Sequence, residues 1–403
     1  MRLIRRALLG PRQAGPLRVM FVITTMPVGG AETLLVDLVR RMDRRRFAPE
    51  VCCLKYLDVL GEVLAKEVPV HTGLIANKYD LRVLPRLARL MWQRRIDAVV
   101  TVGTGGDKMF WGRLAAWLSG VPVICSALHS TGLPDRVEFL NRLLAPLTDA
   151  FIAVAGPHAE YLAEHEGCPA SRVRVIANGV DVDRFAPSKP SAEMRRELGL
   201  QPGQPVATIV AALRPEKNHE LLLEAAVDVR RQVPDARILV VGDGARRAML
   251  EQRAADLGLA ETVRFLGTRR DVPEILSLTR VFVLCSHMEA NPVSIIEAMA
   301  CGRAVVATRV GSVPENVGDG VTGYLVEPGH RQQLAERLVE LLTDPARAEA
   351  MGVAGRHRAL AHGSLQGMVR GYEELIAGLE AAKRGRNWLP SWLARPWQAA
   401  NPS

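Results

Sequence analysis

Unbroken apolar runs alternate along this chain with longer stretches in which apolar positions recur every three or four residues. The unbroken runs predict strands buried on both faces, and the helical spacing predicts helices laid over them. Strands are expected at residues 17–25, 98–102, 122–127, 150–154 and 174–176, with a helix over 31–42 after the first. Residues 178–190 hold Asn178-Gly179, Pro187 and Pro190 and read as an irregular linker. Alternation then restarts: strand 206–211, helix 219–232, strand 237–241, a helix to Leu257, then strands 263–266, 281–285 and 304–308. Helices near 332–343 and 364–382 close the pattern. Strand, helix and strand in repetition imply an α/β protein with two Rossmann-like, doubly wound parallel-sheet domains facing a central cleft. The expected bounds are 1–180 for an N-terminal domain and 186–363 for a C-terminal one. Residues 364–403 are read as a helix returning to the N-terminal domain and a tail rich in Trp and Pro (Trp388, Trp392, Trp397).

Composition narrows the class. A length of 403 residues suffices for two domains, and 48% hydrophobic with 5% aromatic residues describes an ordinary soluble α/β chain. The cysteines at 52, 53, 125, 168, 285 and 301 lack metal-ligand spacing and fall in apolar contexts, as reduced core residues of a cytoplasmic protein do. Residues 1–10 have too short an apolar run for a signal peptide, and the stretch 114–128 is broken by Ser119, Gly120 and Pro122, so no membrane span is expected. The net charge of +9 is uneven: residues 1–185 hold 25 basic and 18 acidic side chains, and the remainder 27 and 25. A basic first half suits an anionic partner, with anionic lipid a candidate and nucleic acid not expected. Residues 81–95 sharpen this, with Arg82, Arg86 and Arg89 on one helical face and Leu84, Leu87 and Met91 on another. Such a face fits a membrane surface; an ordinary surface helix with solvated arginines is the other reading.

The candidate chemistry concentrates in residues 286–302, S-H-M-E-A-N-P-V-S-I-I-E-A-M-A-C-G. Pro292 suits the first turn of a helix and Gly302 its end. Glu289 precedes the helix, and Glu297 lies among Ile295, Ile296, Ala298, Met299 and Ala300, so Glu297 is expected to be buried. A carboxylate there needs a hydrogen-bonding partner. The pair is either a capping acid with a buried helical Glu or a ligand cleft in which both accept from hydroxyls and the helix N-terminus faces an anion. Gly29-Gly30 joins the first strand to the first helix, where a ligand can approach the backbone, or is simply a tight turn. Residues 213–218 (L-R-P-E-K-N) put Arg214 and Lys217 at a strand end, suited to a diphosphate or solvated. His129 follows a strand and is structural or catalytic. Asp181-Val182-Asp183 resembles a metal-binding Asp-x-Asp, but its place in the linker points to turn chemistry. No metal site is expected.

Taken in order, Gly29-Gly30-Ala31-Glu32, the segment 175–181 (V-I-A-N-G-V-D), the Lys217 loop, Val241-Gly242-Asp243-Gly244 and the Glu289–Glu297 pair resemble the retaining family 4 glycosyltransferases of GT-B fold. The resemblance spans about residues 17–371, and the Glu, seven residues, Glu signature is its most specific part. It implies a hexosyltransferase that uses a UDP- or GDP-linked sugar as co-substrate, without other cofactor or metal. The acceptor would be a cell-envelope or exopolysaccharide-type glycan, or a lipid-linked one. By the same resemblance Glu297 holds the ribose, Glu289 lies near the transferred sugar, and the backbone at Asn291, Pro292, Val293 and Ser294 meets sugar or phosphate. Lys217 serves the diphosphate, His129 touches the donor sugar, and Gly29, Gly30 and Gly242 approach the donor, while Arg214, off the family's arginine position, is the candidate to reach the phosphate in its place. The family's usual arginine position, five residues before the lysine, is Ala212 here. A non-catalytic nucleotide-sugar-binding relative and a GT-B sugar-nucleotide epimerase are the alternatives. The expected location is the cytoplasm, peripheral at the inner face of the cytoplasmic membrane when the acceptor is lipid-linked.

Overall fold

The computed structural model describes residues 15–77, 80–103, 107–128 and 138–384. Nearly every apolar run becomes a strand of one of two parallel sheets. The first sheet holds β1 (Leu17–Ile23), β2 (Phe47–Cys53), β3 (Val70–His71), β4 (Ala98–Gly103), β5 (Val123–Leu128), β6 (Ala150–Ala153) and β7 (Val173–Val175), in the order β3-β2-β1-β4-β5-β6-β7. The second holds β8 (Val206–Val210), β9 (Arg237–Val241), β10 (Val263–Gly267), β11 (Val281–Leu284), β12 (Ala304–Thr308) and β13 (Gly323–Val326), in the order β10-β9-β8-β11-β12-β13. Each is a doubly wound Rossmann-like sheet. Strands such as β11 and β12 are buried at every position, the sign of a parallel sheet covered on both faces.

The chain divides into one unit of residues 1–177 with 366–403 and a second of residues 178–365. In the first, the helix Leu365–Arg384 is tied down by Glu373, whose Oε1 accepts from the Asp43 backbone N–H at 2.7 Å, and by Lys383, which pairs with Asp149. The second unit has its own continuous apolar core. Residues 178–185 are not a loose linker: Val180, Val182 and Phe185 are buried in that core. Val180 N–H donates to Gly363 O at 2.8 Å and its carbonyl accepts from Leu365 N–H at 2.9 Å. A Cβ on Gly179 would stand 2.3 Å from Ser364 O, so this close pairing requires glycine there.

Four elements depart from the apolar pattern. β2 carries Pro49 and Glu50, which disguise it as a loop. The β3 ladder begins only at Val51, so on that side Pro49 has no partner to lose. β3 and β13 are too short to stand out. The helix Pro345–His362 buries mainly small residues, Ala348, Gly352, Gly355 and Ala359, so its periodicity is faint. Its cap was legible, since Asp344 accepts from Arg347 N–H and Pro345 opens the helix. A Cβ on Gly352 would lie 2.1 Å from Gly302 O, which brings this helix hard against the end of the helix Val293–Ala300.

All six cysteines are free and buried. No described helix is long and apolar enough to cross a membrane. The helix Val83–Gln93 buries Val83, Leu87 and Met91, with Leu84 half-buried, while Leu81 and Trp92 are exposed beside the arginines. The basic face is partly neutralised: Arg82 and Arg86 pair with Asp80, and Arg94 with Glu50. The Arg82 hydrogen bond is the chief reason that the Asp80 carboxyl lies down at about 2.

Candidate active site

In a doubly wound sheet the strand order reverses at one point, where the loops leaving the two central strands diverge and ligands bind. In the second unit this point lies between β8 and β11. The loop after β8 carries Lys217 and the loop after β11 carries Glu289, so topology alone brings them together. Lys217 Nζ donates to Glu289 Oε1 at 2.5 Å. Glu289 is 7% exposed and the Lys217 side chain 23%. The Ser286 hydroxyl, itself buried, donates to the same Oε1 at 2.6 Å.

The Lys217 loop is rigid for local reasons. Pro215–Lys217 form one 3₁₀ turn, and Asn218, with φ +49°, turns the chain into the helix His219–Gln232. Asparagine tolerates this left-handed conformation better than most residues, and Asn218 O accepts from Cys285 Sγ at 3.1 Å. The two loops are also joined through Glu216 O, which accepts from His287 N–H at 2.8 Å. Behind them, Gly242 has φ +135° and a Cβ there would fall 2.1 Å from Ala211 O. Close backbone packing thus already accounts for the glycine, whatever ligand lies beyond it. Arg214 is exposed and its guanidinium faces Glu216 at 3.9 Å. Ala212 is half-buried.

The helix Val293–Ala300 starts after Pro292 as N-cap. Asn291, just before it, is held twice. Asn178 Nδ2 donates to its carbonyl at 2.9 Å, and Asn316 Nδ2 donates to its side-chain Oδ1 at 3.1 Å. Glu297 is not buried as its apolar neighbours imply. Val293, Ser294 and Glu297 are half-exposed while Ile295, Ile296, Ala298, Met299 and Ala300 are buried. Positions 293, 294 and 297 lie along one helical face, so the helix presents a narrow accessible strip.

In the first unit, β1 leads to Gly29 and Gly30 at the start of the helix Gly30–Arg41. The N-cap residue is Gly29, which has no side chain to cap the helix, and a Cβ on Gly30 would meet nothing within 4 Å. A Cβ on Gly29 would lie 2.3 Å from Glu32 Oε2, so Glu32 folds back over the turn. His129 lies outside the described residues. Asp181 Oδ1 accepts from the N–H groups of Asp183 and Arg184, both at 3.2 Å, which is turn chemistry. Among the described residues no group of three or more His, Cys, Asp or Glu is placed to hold a metal ion.

Sequence reading missed five contributors: Ser286, Thr308, Asn218, Asn316 and His219. Ser286 had a signal, a hydroxyl three residues before a loop carboxylate. The others depend on neighbours far along the chain. His219 is 2% exposed and neither ring nitrogen has a hydrogen-bond partner. Burial, with the charges of Lys217 and Arg246 adding to it, pushes the ring down to about 4, so it is neutral near pH 7.

Comparison with known proteins gives consistent matches. Residues 28–184 fit the sequence model described as Glycosyltransferase Family 4, and residues 190–358 that of Glycosyl transferases group 1. The GDP-mannose-dependent alpha-(1-6)-phosphatidylinositol monomannoside mannosyltransferase of Mycolicibacterium smegmatis is 34% identical over 332 residues, 80% of each chain. The UDP-Gal:alpha-D-GlcNAc-diphosphoundecaprenol alpha-1,3-galactosyltransferase of Escherichia coli is 28% identical over 301 residues, 72% of this chain and 77% of that one. Among solved structures, Anabaena HepE in complex with UDP and glucose superposes with a TM-score of 0.79 at 22% identity, covering 90% of this chain and 100% of that one.

Proposed function

This chain belongs to the family 4 glycosyltransferases, its second unit carrying the group 1 glycosyltransferase region, and on that premise we propose which reaction it performs. It transfers a hexose-type sugar from a UDP- or GDP-linked donor to a cell-envelope or exopolysaccharide-type glycan, with lipid-linked glycans foremost, retaining anomeric configuration and needing no metal ion. The observation that carries this is the Lys217–Glu289 pair at the switch point of the second sheet. Lys217 meets the donor diphosphate and offsets the charge that develops as it departs; a preorganised group of this kind contributes about 3–4 kcal/mol to the transition state. Glu289 accepts from hydroxyls of the transferred sugar. Glu297, on the accessible strip of its helix, accepts from the ribose, and the backbone from Asn291 to Ser294 meets sugar or phosphate. Arg214 swings from Glu216 toward the diphosphate, Gly242 lines the donor, and Gly29, Gly30 and His129 of the first unit serve donor and acceptor.

In the front-face route the bond from C1 to the diphosphate oxygen breaks as the acceptor oxygen bonds C1 on the same face. The acceptor's proton passes to the departing diphosphate. Retention needs no second enzymic carboxylate in this scheme. The enzyme works in the cytoplasm, and binding at the inner membrane face for lipid-linked acceptors is supported by Leu81 and Trp92 exposed beside Arg82, Arg86 and Arg89. The names of the two relatives above, with phosphatidylinositol and diphosphoundecaprenol substrates, support the same acceptor class.

Thermal-shift titration with UDP, GDP and their sugars tests the reading. A nucleotide present at a hundred times its Kd adds about 2.7 kcal/mol to native-state stability, an easily measured rise in Tm. Proton NMR of the first product then reports the anomer. No shift with any nucleotide, or an inverted product, would count against the reading.

A further inference from the structure

The two donors that meet Glu289 converge on one oxygen. Lys217 Nζ and Ser286 Oγ both reach Oε1, at 2.5 and 2.6 Å, and among the described residues no donor meets Oε2. Ser286 is completely buried, and its own carbonyl accepts from Thr308 Oγ1 at 2.6 Å, with Thr308 1% exposed at the end of β12. The Glu289 backbone is clamped from the other side. Gly311 has φ +49°, and a Cβ on it would fall 1.7 Å from Glu289 O. The end of β12 thus holds the serine, and the loop after it packs against the main chain of the glutamate.

Lys217 cannot be a constant partner. In the reaction above, on which this inference rests, a diphosphate bearing at least two negative charges competes with Glu289 for the same ammonium group. Once Lys217 turns to the donor, the serine hydroxyl is the remaining side-chain donor to the carboxylate. We propose that Ser286 is a positioning residue that pins Glu289 Oε1, so that Oε2 stays directed to the sugar hydroxyls after Lys217 has moved to the diphosphate. A hydrogen bond from a neutral buried donor suits this task, because the donor's charge does not compete with it.

The test is a double-mutant cycle of Ser286→Ala and Glu289→Gln in the full-length chain. The readouts are nucleotide release from UDP-glucose and GDP-mannose, the Kd of UDP and GDP, and the Tm. Ser286→Ala is expected to lower kcat about tenfold or more, with nucleoside-diphosphate Kd within twofold, since Lys217 is untouched. Glu289→Gln is expected to lose a hundredfold or more, and adding Ser286→Ala to it should cost little further, because the serine acts through the carboxylate. A merely structural serine would instead lower the rate equally in both backgrounds. If Ser286→Ala does not fold, Ser286→Cys, slightly larger and a weaker donor, enters the same cycle, with a smaller expected loss. Ser286→Ala at wild-type kcat, or additive losses in the cycle, overturns the proposal and leaves the donor-site reading standing. Glu289→Gln at wild-type rate overturns that reading, and the proposal with it.

Discussion

Replacing Lys217 by alanine removes the cation 2.5 Å from Glu289 Oε1 and leaves a carboxylate that is 7% exposed with Ser286 as its one side-chain donor among the described residues. Breaking a buried pair by removing one partner costs about 3–5 kcal/mol. Here the Lys217 side chain is 23% exposed, water screens part of the loss, and about 1–2 kcal/mol is the expected cost. For a unit spanning residues 178–365 this lowers the melting transition by roughly 2–8 °C. The rate falls further, by about 10²–10³ in kcat, the usual effect of deleting a group aimed at transition-state charge. The double variant Lys217→Ala/Glu289→Ala separates the two effects. It removes the stranded carboxylate, so calorimetry should show most of the lost Tm regained, while initial rates of nucleotide release stay low. Lys217→Ala melting with the wild type and turning over within tenfold of it would refute the reasoning, as would a double variant that regains activity.

Four further outcomes are expected. Because His219 lies at about 4 in the folded chain against an ordinary 6.5, the unfolded chain takes up a proton between these values that the folded chain refuses, so stability falls as pH drops through that window. The loss reaches about 2 kcal/mol at pH 5, and His219→Leu should flatten this part of the Tm-versus-pH curve; an unchanged curve would remove the argument. Asn178→Ala and Asn316→Leu each free one side of Asn291 and should raise donor KM several-fold with a stability cost of about 1 kcal/mol, and unaltered KM in both would show that Asn291 is fixed by other contacts. Activity should survive EDTA and not rise with added Mg²⁺ or Mn²⁺; abolition by chelator with restoration by metal would defeat the metal-free route. Binding to phosphatidylglycerol vesicles should weaken several-fold in the Arg82→Gln/Arg86→Gln/Arg89→Gln variant and vanish at high salt, each basic residue being worth at most about 1 kcal/mol and Asp80 offsetting part of it. Equal sedimentation with neutral vesicles would point to a soluble acceptor.

Much of this protein was readable one residue at a time. Strands β9 and β12 occupy the expected residues, because a strand covered on both faces must be apolar throughout and leaves an unmistakable run. The helix His219–Gln232 was equally plain, and so were Glu289 and Lys217 as candidates, since charge at a strand end beside a helix start is a local pattern, and Glu297, a lone acid among apolar helical neighbours. Sequence could not place what depends on distant chain: Pro49 is harmless in β2 only because β3 is short, and the helix Pro345–His362 hides its core face in small residues, among them Gly352, which packs so close to Gly302 that a Cβ would not fit. Nor could it foresee that Glu297 would lie half-exposed, because which side of a mostly apolar helix is left uncovered is decided by its neighbours. Residue types and local periodicity thus determined the fold class and the chemical groups available. Only tertiary structure decided which oxygen of Glu289 is engaged and by whom, because strand order brings Lys217 to that oxygen beside Ser286, and Thr308 to the Ser286 carbonyl, a property of the sheet rather than of any segment.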